Sequence, residues 1–164
     1  MINEAVKNYI KEHEQNIRQG NFDAVYNNAR DNVRVWELTH TLLRAGIDVL
    51  KHCSKVPEDY MYHSNFPYKV YVPKNCKSIG NYAFADSSVE SVYIQQGVQY
   101  IDEYVFLRCN NIRDLWVPWS VTIIGLNSFK DTIPKIKIHV EPGSYAENYF
   151  KERGFTVVGD YIDK

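Results

Sequence analysis

His52 and Cys53 are neighbours, and a thiol with an imidazole is the pair from which a nucleophile and its base are made. On a helix, adjacent side chains point apart, so either residue would need a partner brought in by the fold, and nothing in the sequence nominates one. The other histidines, His13, His40, His63 and His139, fall at none of the HExxH, HxH or CxxH-type spacings that hold a metal ion. Cys76 and Cys109 bring the cysteines to an odd count of three without a CxxC pair, the pattern of buried, reduced thiols in a cytosolic protein. The glycines form neither GxGxxG nor a P-loop, so no phosphate cradle is written here. Asp102-Glu103 and Asp160-x-x-Asp163 are acidic pairs that read as solvated turn and tail charges. The expectation is therefore a protein without catalytic residues, metal or cofactor, with an enzyme built around Cys53 and His52 as the lesser alternative.

Spacing is more informative where the residues are aromatic. Val70-Tyr71-Val72-Pro73, Val92-Tyr93-Ile94-Gln95, Leu115-Trp116-Val117-Pro118 and Ile138-His139-Val140-Glu141 follow one another at steps of 22, 23 and 23 residues. Between them run Cys76-x-x-Ile79-Gly80-x-x-Ala83-Phe84, Val98-x-x-Ile101-Asp102-x-x-Val105-Phe106 and Val121-x-x-Ile124-Gly125-x-x-Ser128-Phe129. A fixed period in the twenties with apolar residues at fixed offsets marks a stacked solenoid. Four short parallel strands are expected, centred on Tyr71, Tyr93, Trp116 and His139, with Phe84, Phe106 and Phe129 as a buried column. Successive side chains of a strand face opposite ways, so the four central residues all point outward.

Thirteen tyrosines against seven phenylalanines, an apolar share of 45% and a charged share of 24% describe a folded chain rich in amphipathic rings. Net charge is −1, divided as about +1 before Pro57 (8 Lys and Arg against 7 Asp and Glu) and about −2 from there on (11 against 13). Neither part carries the basic surplus of a phosphate-binding surface, which disfavours nucleic acid as the principal partner. No secretory signal and no membrane-length apolar run is legible, and the expected location is cytoplasmic.

Residues 1–55 read as a helical cap: an amphipathic helix over 2–19 ended by Gly20, a second over 22–29, a third capped by Asp31 and carrying Val33, Trp36, Leu42 and Leu43, and a turn capped by Asp48. Residues 56–142 are the repeats, the first of them worn, with Tyr62 eight residues before Val70 as Phe84 is before Val92. Residues 143–164 form the closing cap, a helix opened by a Ser144/Glu147 capping box and stopped by Gly154, then a strand over 155–158 and a tail.

The units Val-Pro-x-x-Cys-x-x-Ile-Gly-x-x-Ala-Phe (72–84) and Val-Pro-x-x-Val-x-x-Ile-Gly-x-x-Ser-Phe (117–129), with the closing Gly-Ser-Tyr-Ala-Glu-Asn-Tyr-Phe-Lys-Glu-Arg-Gly (143–154), resemble the BspA-like class of leucine-rich repeats over about residues 56–158. The sequence departs from the pattern at Asp102, where glycine is usual, and at Lys135, where an apolar residue is usual; local irregularity is expected at both. The resemblance implies an α/β fold, a leucine-rich-repeat solenoid with a curved parallel sheet, in bacterial and phage proteins that bind other proteins, a phage-encoded inhibitor of a host protein being one form. A self-associating structural subunit is the rival. The expected partner-binding residues are the outward column Tyr71, Tyr93, Trp116 and His139 with the polar rim Lys69, Asp114 and Lys137, an aromatic stripe beside charges of the kind protein interfaces use.

Overall fold

The computed structural model describes residues 2–132 and 135–164. Its centre is a parallel β-solenoid of about four turns, in which each turn places one long strand and three of the turns also place a short one. The long strands β1 (Lys69–Val72), β3 (Ser91–Ile94), β5 (Asp114–Val117) and β7 (Lys137–Val140) stack in chain order, and β8 (Thr156–Val158) adds a fifth rung beyond β7. The short strands β2 (Ser78–Ile79), β4 (Tyr100–Ile101) and β6 (Ile123–Ile124) form a second, three-stranded sheet. Strand alternation sets the register: Val70 pairs with Val92, Val92 with Leu115 and Leu115 with Ile138, all facing the core, as do Ile79, Ile101 and Ile124 on the short sheet. Tyr71, Tyr93, Trp116 and His139 are paired in the same way on the outer side.

Each turn closes through a tight segment with two residues in the left-handed region. These are Asp59 and His63, Tyr82 and Asp86, Tyr104 and Arg108, and Asn127 and Asp131. Bulky residues rarely adopt that backbone, and here the stacking itself compensates. Phe84 N–H donates to the Val105 carbonyl and Phe106 N–H to the Ser128 carbonyl, tying each turn to the next. Phe84, Phe106 and Phe129 form the expected buried column, with ring centroids 5.5 and 5.0 Å apart. Met61 N–H makes the equivalent bond to Ala83, so Met61, buried, occupies the place of Phe84 in the first unit. This corrects the expectation for Tyr62, which is half-buried and meets Tyr82 edge-on at 5.7 Å instead. Of the two departures from the repeat, Asp102 is regular: its N–H bonds the Ile79 carbonyl as Gly125 N–H bonds that of Ile101. Lys135 is exposed while its neighbour Ile136 is buried.

The ends of the solenoid are covered. Helix α1 (Glu4–Glu12) breaks at His13, whose ring stacks on Tyr9 at 4.0 Å and donates to the Tyr9 carbonyl at 2.8 Å, so the single expected helix continues as a separate α2 (Glu14–Arg18). Helix α3 (Phe22–Asn27) runs into a 3-10 turn at Ala29–Asp31. Asn32 and Val33 N–H both donate to the Ala29 carbonyl, which places Asp31 inside that turn; it is not the cap of α4 (Val35–Arg44), which starts without a side-chain cap. Asp48 likewise caps nothing; the 3-10 turn Leu50–His52 starts without a side-chain cap. These helices share one continuous core with the repeats, from Tyr9, Phe22 and Leu38 through Tyr60, Phe84 and Phe106 to Phe150. At the other end α5 (Tyr145–Glu152) opens on Ser144, whose hydroxyl accepts from Glu147 N–H; the Glu147 carboxylate returns to Gly143 N–H. Gly154, at φ +79°, stops the helix in a conformation that a side chain would strain. Phe150 and Phe155 then close on Phe129 edge-to-face.

Candidate functional site

The adjacent pair His52–Cys53 does not assemble a catalytic site. His52 is exposed, its ring 5.9 Å from that of Phe22, while Cys53 is buried and its thiol donates to the Val49 carbonyl at 3.3 Å. Burial raises the Cys53 thiol far above its ordinary range and pushes Cys76 and Cys109 up to about 12. Thiols held protonated against backbone carbonyls are at the unreactive end of cysteine chemistry. Among the described residues no cluster of three His, Cys, Asp or Glu side chains forms a metal site, and no helix is long and apolar enough to cross a membrane.

The outward faces of the long strands bring together the aromatic column. Tyr71 and Tyr93 stack at 5.3 Å with planes 9° apart, Trp116 lies 6.1 Å from Tyr93, and His139 stacks on Trp116 at 4.4 Å. Lys69 and Lys137 are exposed on its upstream flank. Asp114 belongs to the column as much as to the rim, because its carboxylate meets His139 Nε2 at 2.8 Å.

The expected exposure of this column requires correction. Tyr71 is 45% exposed, but Tyr93 and His139 are each only 7% exposed. The cover is the chain's own tail. Beyond β8 the backbone turns at Gly159 and residues 160–164 cross the outer face from β7 toward β1. Five extended residues reach about 17 Å, enough for the three interstrand steps of about 4.8 Å each. Asp160 meets His139 Nδ1 at 2.7 Å. Tyr161 stacks on Tyr93 at 5.5 Å and donates its hydroxyl to the Ile94 carbonyl at 2.7 Å. Burial first, then its hydrogen bond with Tyr93, raises the Tyr161 phenol above its ordinary range. Tyr93 donates its hydroxyl to the Ile162 carbonyl at 2.6 Å and accepts from Lys164 N–H at 2.8 Å. Asp163 accepts from Gln96 N–H, and the Lys164 carbonyl accepts from Gln95 and from the Tyr71 hydroxyl. The Lys164 ammonium lies 5.0 Å from the Tyr93 ring and 5.9 Å from that of Trp116, within reach of cation–π attraction.

Tyr71, Tyr93 and His139 are therefore hydrogen-bonded to the tail and Trp116 faces its Lys164 ammonium, and Asp160 and Asp163, read from sequence as solvated charges, are its anchors. Sequence reasoning missed Tyr161 and Lys164. The available signal was a tyrosine and an isoleucine inside an otherwise polar six-residue end.

The short sheet presents a different surface. Tyr100 pairs with Ile123 on its outer side, and the Tyr145 hydroxyl accepts from Ile124 N–H beside them. Tyr100, Ile123, Tyr145 and nearby Leu126 are 39–74% exposed. At the helical end, α4 and the segment before β1 frame an open concavity of about 1040 Å³ lined in part by Trp36, Glu37, His40, Arg44 and Phe66. His40 stacks on Phe66 at 3.8 Å and bonds the Tyr68 hydroxyl, which fixes the helix to the first strand.

Comparison with known families finds one match: a model described as the BspA type leucine rich repeat region, in six copies, covers residues 45–153. No curated protein and no solved structure matches the chain.

Proposed function

Because the chain belongs to the BspA-type leucine-rich-repeat family, whose repeats generally mediate protein–protein interaction, we propose that it is a non-catalytic protein-binding module whose recognition surface is the outer face of the long sheet. The observation that supports this is the continuous ladder Tyr71–Tyr93–Trp116–His139, with its open end at Tyr71 beside exposed Lys69. Tyrosine and tryptophan lead the residue types in which interface energy concentrates. The module acts by occupying a partner's surface, and a phage-encoded inhibitor of a host protein is one form of that role. Three buried thiols suit a reducing compartment, so we place it in the cytoplasm.

The test starts with isolation of a stoichiometric partner from lysate of the natural host. Calorimetry with the purified pair then compares wild type with Tyr71→Ala and Trp116→Ala. A loss of affinity of about tenfold or more is expected from each. Equal affinities would move the site to the N-terminal helices or the short sheet. Light scattering that shows self-assembly alone would favour a structural subunit, and an activity lost in a folded Cys53→Ser variant would favour an enzyme.

A further inference from the structure

We infer that residues 160–164 are a resident, displaceable peptide on the aromatic ladder, and that the partner engages this face by presenting an extended segment of the same chemistry. That segment carries an acidic side chain for His139, an aromatic phenol to stack on Tyr93, and a cation for the Tyr93 and Trp116 rings. The inference rests on the reading that the long sheet is the recognition surface, and it specifies what that surface takes.

Three observations carry it. The tail lies outside the continuous apolar cluster that runs from Tyr9 to Phe150, and Tyr161 is the one residue of 160–164 that is buried. Its main chain is held by groups of the outer face and its margins, not by a ladder of strand hydrogen bonds. Tyr161 N–H reaches the Val140 carbonyl, while the Ile162 and Lys164 carbonyls and Lys164 N–H are held by the side chains of Tyr93, Tyr71 and Gln95. Segments with few buried contacts open at the low end of a protein's stability range. Ile162 is 74% exposed, so much of the apolar surface the tail could contribute is turned to solvent.

The chemistry of the seat is equally specific. His139 faces two carboxylates, Asp114 from the sheet and Asp160 from the tail, so an acidic side chain is the complement that the sheet itself supplies on one side only. The Tyr93 ring takes Tyr161 on its face, and its hydroxyl both donates to and accepts from main-chain groups, a readout of an extended backbone whatever its side chains. A tethered tail competes at an effective concentration in the millimolar range. A partner segment must therefore either bind more tightly than the tail or meet the face when the tail is open.

The experiment uses a fluorescein-labelled peptide of residues 158–164 as the probe and full-length chains as receptors, read by anisotropy. Tyr161→Ala, with unchanged circular dichroism and cooperative melting, is expected to bind the probe at least tenfold more tightly than wild type. Adding Trp116→Ala should abolish that gain, and so should alanine in place of the probe's tyrosine. A folded Tyr161→Ala chain that binds no better than wild type overturns the inference. Should Tyr161→Ala not fold, Asp160→Asn replaces it with the same expected direction. In wild type, hydrogen exchange at Tyr161 as slow as at Val72 and Ile94 would also overturn it, by making the tail a permanent part of the fold. Dimers that exchange tails, seen by light scattering, would assign the seat to a second copy and overturn the partner proposed here. If the probe fails while Trp116→Ala still weakens the isolated partner, recognition at this face stands and only the tail-like occupant falls.

Discussion

The two sheets of the solenoid obey the same alternation and end up with opposite surfaces. On the long sheet the outward residues Tyr71, Tyr93, Trp116 and His139 offer rings together with hydroxyl and imidazole groups, and those polar atoms give the tail its anchors. On the short sheet the outward positions Ser78, Tyr100 and Ile123 leave a mixed aromatic and aliphatic surface uncovered. Apolar area alone would favour covering both, since each Å² removed from water contributes roughly 25 cal/mol. What differs is the supply of directional partners: a strap must satisfy its own N–H and C=O groups wherever it lies, and the long sheet offers Tyr71, Tyr93 and His139 with Gln95 and Gln96 beside them, against the hydroxyls of Ser78 and Tyr100 on the short sheet.

The largest test breaks both surfaces at once. Phe106 lies fully buried in the core, stacked on Phe84 and Phe129. Phe106→Ala is expected to lose about 3–5 kcal/mol in urea denaturation, from the lost transfer free energy and the cavity left behind. Against a total of about 5–15 kcal/mol this removes the platform of both faces together. A loss under about 1 kcal/mol would mean the stacking register is wrong. Removal of residues 1–55 exposes the top of the same core, including Tyr60 and Met61, and we expect the remainder to aggregate in light scattering. A soluble, cooperatively melting remainder would make the helices an independent unit.

The contrast between the sheets sharpens with a pair of smaller changes. His139→Ala leaves Asp114 and Asp160 without their imidazole partner, and hydrogen bonds to charged groups contribute about 1.5–3 kcal/mol. Exchange at the Tyr161 amide should quicken by about an order of magnitude while the Val92 and Ile94 amides are unchanged. Ile123→Lys on the other sheet should alter stability by no more than about 0.5 kcal/mol, because the residue is 54% exposed and holds nothing down. If Ile123→Lys also loosened the tail, the two faces would be coupled through the core and the contrast would fail.

The repeats were legible, as were the closing helix with its Ser144/Glu147 cap and Gly154 stop, whose signals are local; the contacts made once over long range were not. Strand centres, inward and outward faces, and the phenylalanine column follow from a period that the chain states several times over. Tyr62 was misplaced because the distance from column to strand is itself variable: eight residues from Phe84 to Val92 but nine from Phe106 to Leu115 and from Phe129 to Ile138, and the first unit follows the nine-residue form with Met61. Asp31 has the right type for a cap, yet the carbonyl of Ala29 captures the next two amides first. The tail failed for a different reason. Nothing local distinguishes Asp160 and Asp163 as anchors from the solvated charges they resemble, because their partners His139 and Gln96 are 21 and 67 residues away.

The smallest expected effect acts on neither face and serves as a control on acid sensitivity. Asp86 and Arg108 occupy equivalent left-handed positions one turn apart, and the guanidinium holds the carboxylate through two bonds of 2.5 and 2.6 Å. This pairing lowers the Asp86 carboxyl below its ordinary range. The folded state therefore binds that proton less readily than the unfolded chain, so the contribution is fully present above the ordinary carboxylate range and is lost as pH falls through the lowered folded value. Arg108→Ala should remove that part of the acid dependence: its urea midpoint falls less than that of wild type between neutral and strongly acid pH. Because Arg108 is nearly half exposed, salt should narrow the difference. Tail exchange at Tyr161 should follow the same curve in both proteins. An Arg108→Ala chain with the wild-type acid profile would show that the pair holds the turns together without contributing to pH-dependent stability.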